Sequence, residues 1–351
     1  SCPADPDLWL KEQTDRKGRR YYSYILCYVD DLLVVHHNPK RVMDRINSFL
    51  PLKPDSVGPP EMYLGAKLKK KTFKDGTSAW GLSPAKYVQQ AVTNVEAYLS
   101  KNLSGRFAMP KKAANPFPYD YAPEEDVSPL LEPSVAKFYM QLIGVLRWMC
   151  ELGRIDICTE VSMLLSYSAM PREGHLEATL HVFSFLKSHS NSRLIFDPQE
   201  PEMGGSQFVE CDWSDFYAGA VEAIPPNAPK PLGKGATLRM FVDSDHAGDA
   251  VSRRSRTGFV IFLNHGMIDW LSKKQSTVET SVFGAEFCAM KHGIETLSGI
   301  RYKLRMMGVP VTGPSYVFGD NMSVVTNVSK PESTLRKKSN AICYHAVREA
   351  V

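Results

Sequence analysis

The sequence predicts a multi-domain chain of mixed α+β and α/β character, on three observations. Strand-length apolar runs dominate residues 1–82, apolar residues at helical spacing dominate 83–205, and strand and helix patterns alternate over 237–351. Residues 206–236 form a Pro- and Gly-rich connection, and Ala223-Ile224-Pro225-Pro226-Asn227-Ala228-Pro229 within it is a linker by composition. A chain of 351 residues has room for two or three separate cores.

Taken in order, the first informative stretch is Ile25-Leu26-Cys27-Tyr28-Val29-Asp30-Asp31-Leu32-Leu33-Val34-Val35. Two apolar runs flank an acidic pair, which predicts two buried strands joined through Asp30-Asp31 as a tight hairpin. Asn-Gly is the easier chemistry for such a turn. Adjacent carboxylates there point instead to a divalent cation held by hard oxygen ligands. Asn38-Pro39 then opens a short amphipathic helix carrying Val42, Ile46, Phe49 and Leu50, and Pro51 and Pro54 stop it. Five lysines crowd 67–74 and lead into Asp75-Gly76, the turn of a second hairpin.

From Ser83 to about Gln199 the pattern is helical. Pro84 marks a helix start, with Tyr87, Val88, Ala91, Val95 and Leu99 on one stripe. After a loop over 110–133, three more stripes run Val135 to Met149, Ile157 to Tyr167, and Leu176 to Leu186. Short helices with such stripes make a bundle. Beyond the linker, 238–245 alternates like a strand that ends on acids, and 257–263 and 267–271 are two further strands. A long helix over 281–307 contains Glu286, and a short strand over 315–321 ends on Asp320. Carboxylates at strand ends and on one helix face are what a two-metal phosphodiester hydrolase needs. They must converge from separate elements to hold two ions roughly 4 Å apart.

Composition narrows the classes. Hydrophobic content of 43% and charged content of 23% suit a soluble globular chain, and the net charge of +4 permits a polyanionic partner. The seven cysteines are odd in number and contain no Cys-x-x-Cys, which argues against a disulfide framework or a zinc site and for a reducing compartment. No apolar run reaches membrane-spanning length and no secretory signal is visible, so no membrane partner is expected. The chain starts at Ser1 rather than Met, and a piece of a longer polypeptide is expected.

Tyr28-Val29-Asp30-Asp31 between apolar strands resembles the Tyr-x-Asp-Asp signature of reverse transcriptases, in the valine form of copia-type long-terminal-repeat retrotransposons. Ala4-Asp5-Pro6-Asp7-Leu8-Trp9 resembles the segment leading into that family's palm strand, and Tyr63-Leu64-Gly65 its primer-grip hairpin. Leu82-Ser83-Pro84-Ala85-Lys86-Tyr87 is similar to the start of its thumb, to which Ile155-Asp156-Ile157-Cys158 also belongs. Val242-Asp243-Ser244-Asp245-His246-Ala247-Gly248-Asp249, Arg253-Arg254-Ser255-Arg256-Thr257-Gly258, Trp270-Leu271-Ser272-Lys273-Lys274-Gln275, Ala285-Glu286-Phe287 and Asp320-Asn321-Met322-Ser323 resemble the ribonuclease H domain that follows.

The resemblance implies a partial reverse-transcriptase palm with a primer-grip-like hairpin over 1–82 and a helical thumb over 83–205. After the connection, 237–351 would be a ribonuclease-H-like mixed sheet flanked by helices, its last helix truncated. It implies that Asp30 and Asp31 bind Mg²⁺ and align a primer 3′-oxygen in the full polyprotein. Asp243, Glu286 and Asp320 would be metal ligands for hydrolysis of RNA in RNA–DNA hybrids, with two Mg²⁺ per site and Mn²⁺ as a substitute. Ala341 stands where relatives carry a fourth carboxylate. Glu349 is expected to compensate as a ligand and His345, one turn away, as a catalytic group.

Contacts to a template–primer duplex are expected from Tyr28, Tyr63, Gly65, Lys69 and Lys71. Contacts to an RNA–DNA hybrid are expected from Arg253, Arg254, Lys273, Lys274, Asn321, Lys337 and Lys338. Arg301 and Arg305 belong to the same basic clusters. Deoxynucleotides would be partners only with the upstream palm and fingers, or with a second chain completing the polymerase, so this chain alone is expected not to synthesise DNA. A degenerate retroelement remnant that binds nucleic acid without catalysis is the alternative. The expected locations are cytoplasmic virus-like particles and the nucleus.

Overall fold

The strand runs of the first segment form two small sheets rather than one. The computed structural model describes residues 1–203, 208, 211–217, 219–311, 313–335 and 340–350. The first sheet is antiparallel in the order β1 (Leu8–Thr14), β2 (Arg20–Tyr28) and β3 (Asp31–Val35). Tyr28 pairs with Asp31, so the two-residue turn is Val29-Asp30 and not the acidic pair expected from the sequence. The cross-strand pairing sets this register, and it leaves Val29 at a positive φ of +53°. A β-branched residue is strained there. Val29→Gly is therefore expected to stabilise the chain by roughly 0.5–1 kcal/mol, the relief of strain exceeding the entropy that glycine adds to the unfolded state. A rise in the urea midpoint would register it; an unchanged midpoint would mean that the turn is relaxed.

The flanking strands are also less enclosed than expected: Leu26, Leu32, Leu33 and Val34 are only half-buried. The cause is the helix that follows. Asn38 caps α1 (Pro39–Phe49) by accepting from the Arg41 N–H at 3.3 Å, yet none of its residues is buried, and Phe49 stays 76% exposed. What this sheet buries is at its other end, where Cys2 and Leu8 pack on Met306, and the Tyr24 hydroxyl donates to the Met307 carbonyl at 2.9 Å.

The second sheet runs β4 (Met62–Tyr63), β5 (Ala66–Thr72), β6 (Ser78–Ser83) and β7 (Leu194–Phe196). The strand β7 lies in the stretch expected to be helical. Three residues are too few to display a period of two, and only the pairing of Ile195 with Gly81 makes them a strand. The helices between are α2 (Ala85–Asn102), α3 (Pro133–Glu151), α4 (Cys158–Leu165) and α5 (Glu173–Ser188). Their apolar stripes meet in one core that includes Val88, Phe138, Leu146, Leu164, Leu176 and Phe183. Arg154 is fully buried and forks onto the Asp156 carboxylate at 2.8 and 2.7 Å.

After the short α6 (Ser214–Tyr217) come β8 (Leu238–Asp245), β9 (Arg256–Leu263), β10 (Gly266–Lys274), α7 (Val282–Met306), β11 (Tyr316–Phe318), α8 (Met322–Ser329) and α9 (Ala341–Arg348). The sheet order is β10-β9-β8-β11, with β11 parallel to β8 and the other pairs antiparallel. A parallel pair needs a crossover, and α7 lies in it. Leu238, Met240, Val242 and Ser244 alternate inward, while Phe241, Asp243 and Asp245 face out. The inward side packs on α7 so closely that a Cβ on Gly293 would lie 2.6 Å from the Met240 sulfur. Among the described residues the chain is thus mixed α and β, with three largely antiparallel sheets and no helix long and apolar enough to cross a membrane.

The end of α9 is fixed by Arg348, which is 2% exposed. Its guanidinium donates to the carbonyls of Asn327 and Pro331 at 2.7 and 2.6 Å, and lies 4.8 Å from the Trp213 ring and 4.6 Å from Tyr344. Trp213, Phe216 and Tyr217 of the connection therefore pack on α9.

Candidate metal centre

Three carboxylates converge near the ends of the paired strands β8 and β11 of the third sheet. Alternation along β8 turns Asp243 outward. Phe318 is in parallel register with Phe241, so continuing that register by two residues sets Asp320, just past β11, beside Asp243. The third comes from α7, which starts where Ser281 accepts from the Gly284 N–H at 3.2 Å, setting Glu286 on the inward face. Carboxylate oxygens of Asp243, Glu286 and Asp320 all lie within 4.8 Å of one another, with the two aspartates exposed and the glutamate buried. Among the described residues no other three acids, histidines or cysteines gather this way.

Burial pushes Glu286 from its ordinary 4.5 up to about 7, and the charges of Asp243 and Asp320 add to the rise. An oxygen-only donor set under mutual repulsion fits a hard divalent cation, which would relieve that repulsion. Beside the group, a cleft of about 520 Å³ opens between α4 and the outer face of the sheet, lined by Tyr167, Asp243, Asp245, Arg256 and Trp270 among others. Asp245 faces the same way as Asp243 but is not one of the gathered acids.

Other expected residues lie elsewhere. Glu349 is exposed at the end of α9 and does not join the three acids, so the compensation expected of it is not formed in this arrangement. His345 is exposed, and its Nδ1 is 2.7 Å from the Tyr217 hydroxyl. That partner was missed by sequence reasoning, and the aromatics Trp213, Phe216 and Tyr217 inside a linker-like stretch were the available signal. Asp30 and Asp31 are exposed at the first hairpin, with Tyr28 beside them at 46% exposure. The Tyr63 hydroxyl is buried without a hydrogen-bond partner, and its acidity is suppressed by burial first and then by the nearby Asp31 charge. Gly65, with φ at +86°, closes the β4–β5 turn behind it, and Lys69 and Lys71 are exposed along one side of β5.

Several cations expected on a nucleic-acid track are already engaged. Lys274 pairs with Asp249 at 2.8 Å, so its charge is spent inside the chain, and Asp249 is held down to about 2 despite its burial. Arg301 and Arg305 both grip Glu222 from the connection, at 2.7 and 2.6 Å. Their hydrogen bonds hold its carboxyl down to about 2. Asn321 caps α8, accepting from the Ser323 and Val324 N–H groups at 3.1 and 3.2 Å. Arg253, Arg254 and Lys273 remain exposed, and Lys337 and Lys338 lie outside the described residues.

No family model matches the chain. Over most of its length, however, it is similar to transposon-encoded Pol polyproteins. The retrovirus-related Pol polyprotein from transposon RE1 of Arabidopsis thaliana is 23% identical over 333 residues, covering 93% of this chain and 19% of that protein. The retrovirus-related Pol polyprotein from transposon TNT 1-94 of Nicotiana tabacum is 24% identical over 357 residues, covering 99% of this chain and 23% of that protein. A putative transposon Ty5-1 protein of Saccharomyces cerevisiae is 26% identical over 210 residues, 58% of this chain. By sequence the chain is a relative of retrotransposon Pol polyproteins of the copia type. The chain spans about a fifth of the length of the Pol polyproteins it matches.

Proposed function

We propose that the third sheet and its helices are a ribonuclease H unit that hydrolyses RNA in RNA–DNA hybrids. The observation that carries this reading is the meeting of Asp243, Glu286 and Asp320 from a strand, a helix and the end of a second strand. Asp243 and Asp320 would offer oxygens from the exposed side and Glu286 from beneath. Mg²⁺ or Mn²⁺ held there would neutralise charge at the scissile phosphodiester and raise the acidity of the attacking water. Without a cation, the Glu286 carboxyl keeps a proton up to about pH 7, which lowers the repulsion among the three groups. Exposed Arg253, Arg254 and Lys273 on neighbouring elements would hold the hybrid's phosphates.

On the same reading, residues 1–82 are part of a reverse-transcriptase palm and 83–205 its thumb. Asp30 and Asp31 would serve primer extension only within the longer polyprotein, with deoxynucleotides and a template–primer duplex as partners. Virus-like particles and the nucleus would be the places of action. The alternative, a remnant that binds hybrid without cutting it, is favoured by one observation: the gathered acids number three, with Glu349 apart from them.

A labelled RNA–DNA hybrid incubated with the chain separates the two readings. Cleavage of the RNA strand in millimolar Mg²⁺, abolished by a chelator, is the expected result. Retention of the hybrid in a filter assay without any cleavage, in Mg²⁺ or Mn²⁺, would establish the remnant instead.

A further inference from the structure

We propose that Cys288 and Cys343 form a thiol–disulfide site that staples α9 to α7 when it meets a small-molecule disulfide such as oxidised glutathione. Their sulfurs are 3.7 Å apart although 55 residues separate them in sequence. A disulfide needs about 2.05 Å between sulfurs, so closure requires an approach of about 1.7 Å. The two helices are already packed beside the pair, with the Phe287 and Tyr344 rings 6.0 Å apart, and Val347 is fully buried in the same core. Both thiols are half-buried, open enough for a small oxidant. Cys150 and Cys158 also touch, but Cys150 is buried at 8% exposure and offers an incoming disulfide little access.

The surroundings favour exchange. The hydrogen bond from Cys288 lowers the Cys343 thiol below the usual thiol range and raises Cys288, and the Lys291 ammonium also favours the Cys343 thiolate against the opposing effect of burial, so Cys343 is the attacking sulfur. It attacks one sulfur of glutathione disulfide, forming a mixed disulfide and releasing one glutathione thiolate. The Cys288 sulfur lies 3.4 Å from the Glu279 carboxylate, which accepts its proton as Cys288 attacks the Cys343 sulfur and expels the second glutathione. Two protein thiols and one glutathione disulfide become one protein disulfide and two glutathione thiols, and no other reactant is needed. The closed loop contains β11, α8 and Asp320, so the staple ties one of the gathered acids to the helix that carries Glu286.

Treating the full chain with oxidised glutathione, then alkylating and mapping peptides without reduction, tests this. The expected product has lost two titratable thiols and 2 mass units. It carries a peptide crosslinked between 288 and 343, and dithiothreitol reverses the change. The melting temperature should rise by roughly 5 °C or more, because the bond closes a long loop in the unfolded chain. Cys288→Ser should instead accumulate a glutathione adduct on Cys343. A wild-type product crosslinked elsewhere, at Cys150–Cys158 for instance, or one that keeps glutathione on Cys343, would overturn the proposal without recourse to any variant.

Discussion

Asp243→Asn is expected to lower the rate of the proposed hybrid cleavage in Mg²⁺ by on the order of 10³-fold, while the variant folds as the parent does. Asparagine has nearly the same shape, and its amide oxygen still accepts from the Ser244 N–H, which in the parent donates to Asp243 Oδ1 at 2.8 Å. The side chain is exposed, so no packing is lost. The loss is one full negative charge and one hard oxygen donor from a group of three, and a divalent cation is bound by such charges. Asp245→Asn is the companion measurement. It lies on the same outward face but apart from the three acids, and a reduction of no more than about 10-fold is expected there. Single-turnover cleavage of a labelled hybrid reads both. Parental cleavage by Asp243→Asn would remove Asp243 from the chemistry, and an equal loss at Asp245 would move the centre along the strand.

How much of this centre is legible in the sequence depends on how local each cause is. Alternation along Leu238-Arg239-Met240-Phe241-Val242-Asp243 is local, so a strand ending on an outward acid can be read directly. Glu286 sits in an unbroken helical stripe and can be read as well. The parallel register that sets Asp320 beside Asp243 cannot, because it is fixed by how α7 packs across the sheet. A one-residue error at the first hairpin has the same origin. An apolar run shows that a strand exists, but the pairing of Tyr28 with Asp31 decides where it turns.

Charge is still less readable. The lysine and arginine clusters look alike in sequence, yet Arg301 and Arg305 are bound to Glu222, which is 79 and 83 residues away. Lys274, at the end of β10, is bound to Asp249 in the connection between β8 and β9. A basic cluster predicts an anionic partner only after its internal partners have been subtracted, and those are set by tertiary contacts. Exposure of the first sheet follows the same logic. Val34 and Leu33 are apolar enough for a core, but α1 packs beside β3 without burying any residue of its own, and nothing in their own stretch reveals that.

Glu286 supplies a test of the centre that needs no substrate. In the folded chain its carboxyl is raised from 4.5 to about 7, so the folded state holds its proton more tightly than the unfolded state does. Stability linked to this group is fully present below about pH 4.5 and is lost as pH rises through 7. The loss reaches ~3 kcal/mol at most by pH 8, and less if neighbouring groups rearrange to relieve the repulsion. Metal-free chain should therefore melt at a lower temperature at pH 8 than at pH 5.5. Glu286→Gln, which cannot ionise, should lack this decline and be the more stable protein at pH 8. Mg²⁺ should restore the parent at pH 8, because a cation that favours the ionised form stabilises the state that binds it, and should do much less for Glu286→Gln. Parallel pH slopes in the two proteins would mean that Glu286 does not feel its two acidic neighbours. Magnesium shifts of equal size in both would mean that the ion binds elsewhere. Only a glutamate that is buried and also shares its space with Asp243 and Asp320 gives a difference between the proteins that depends on both pH and metal.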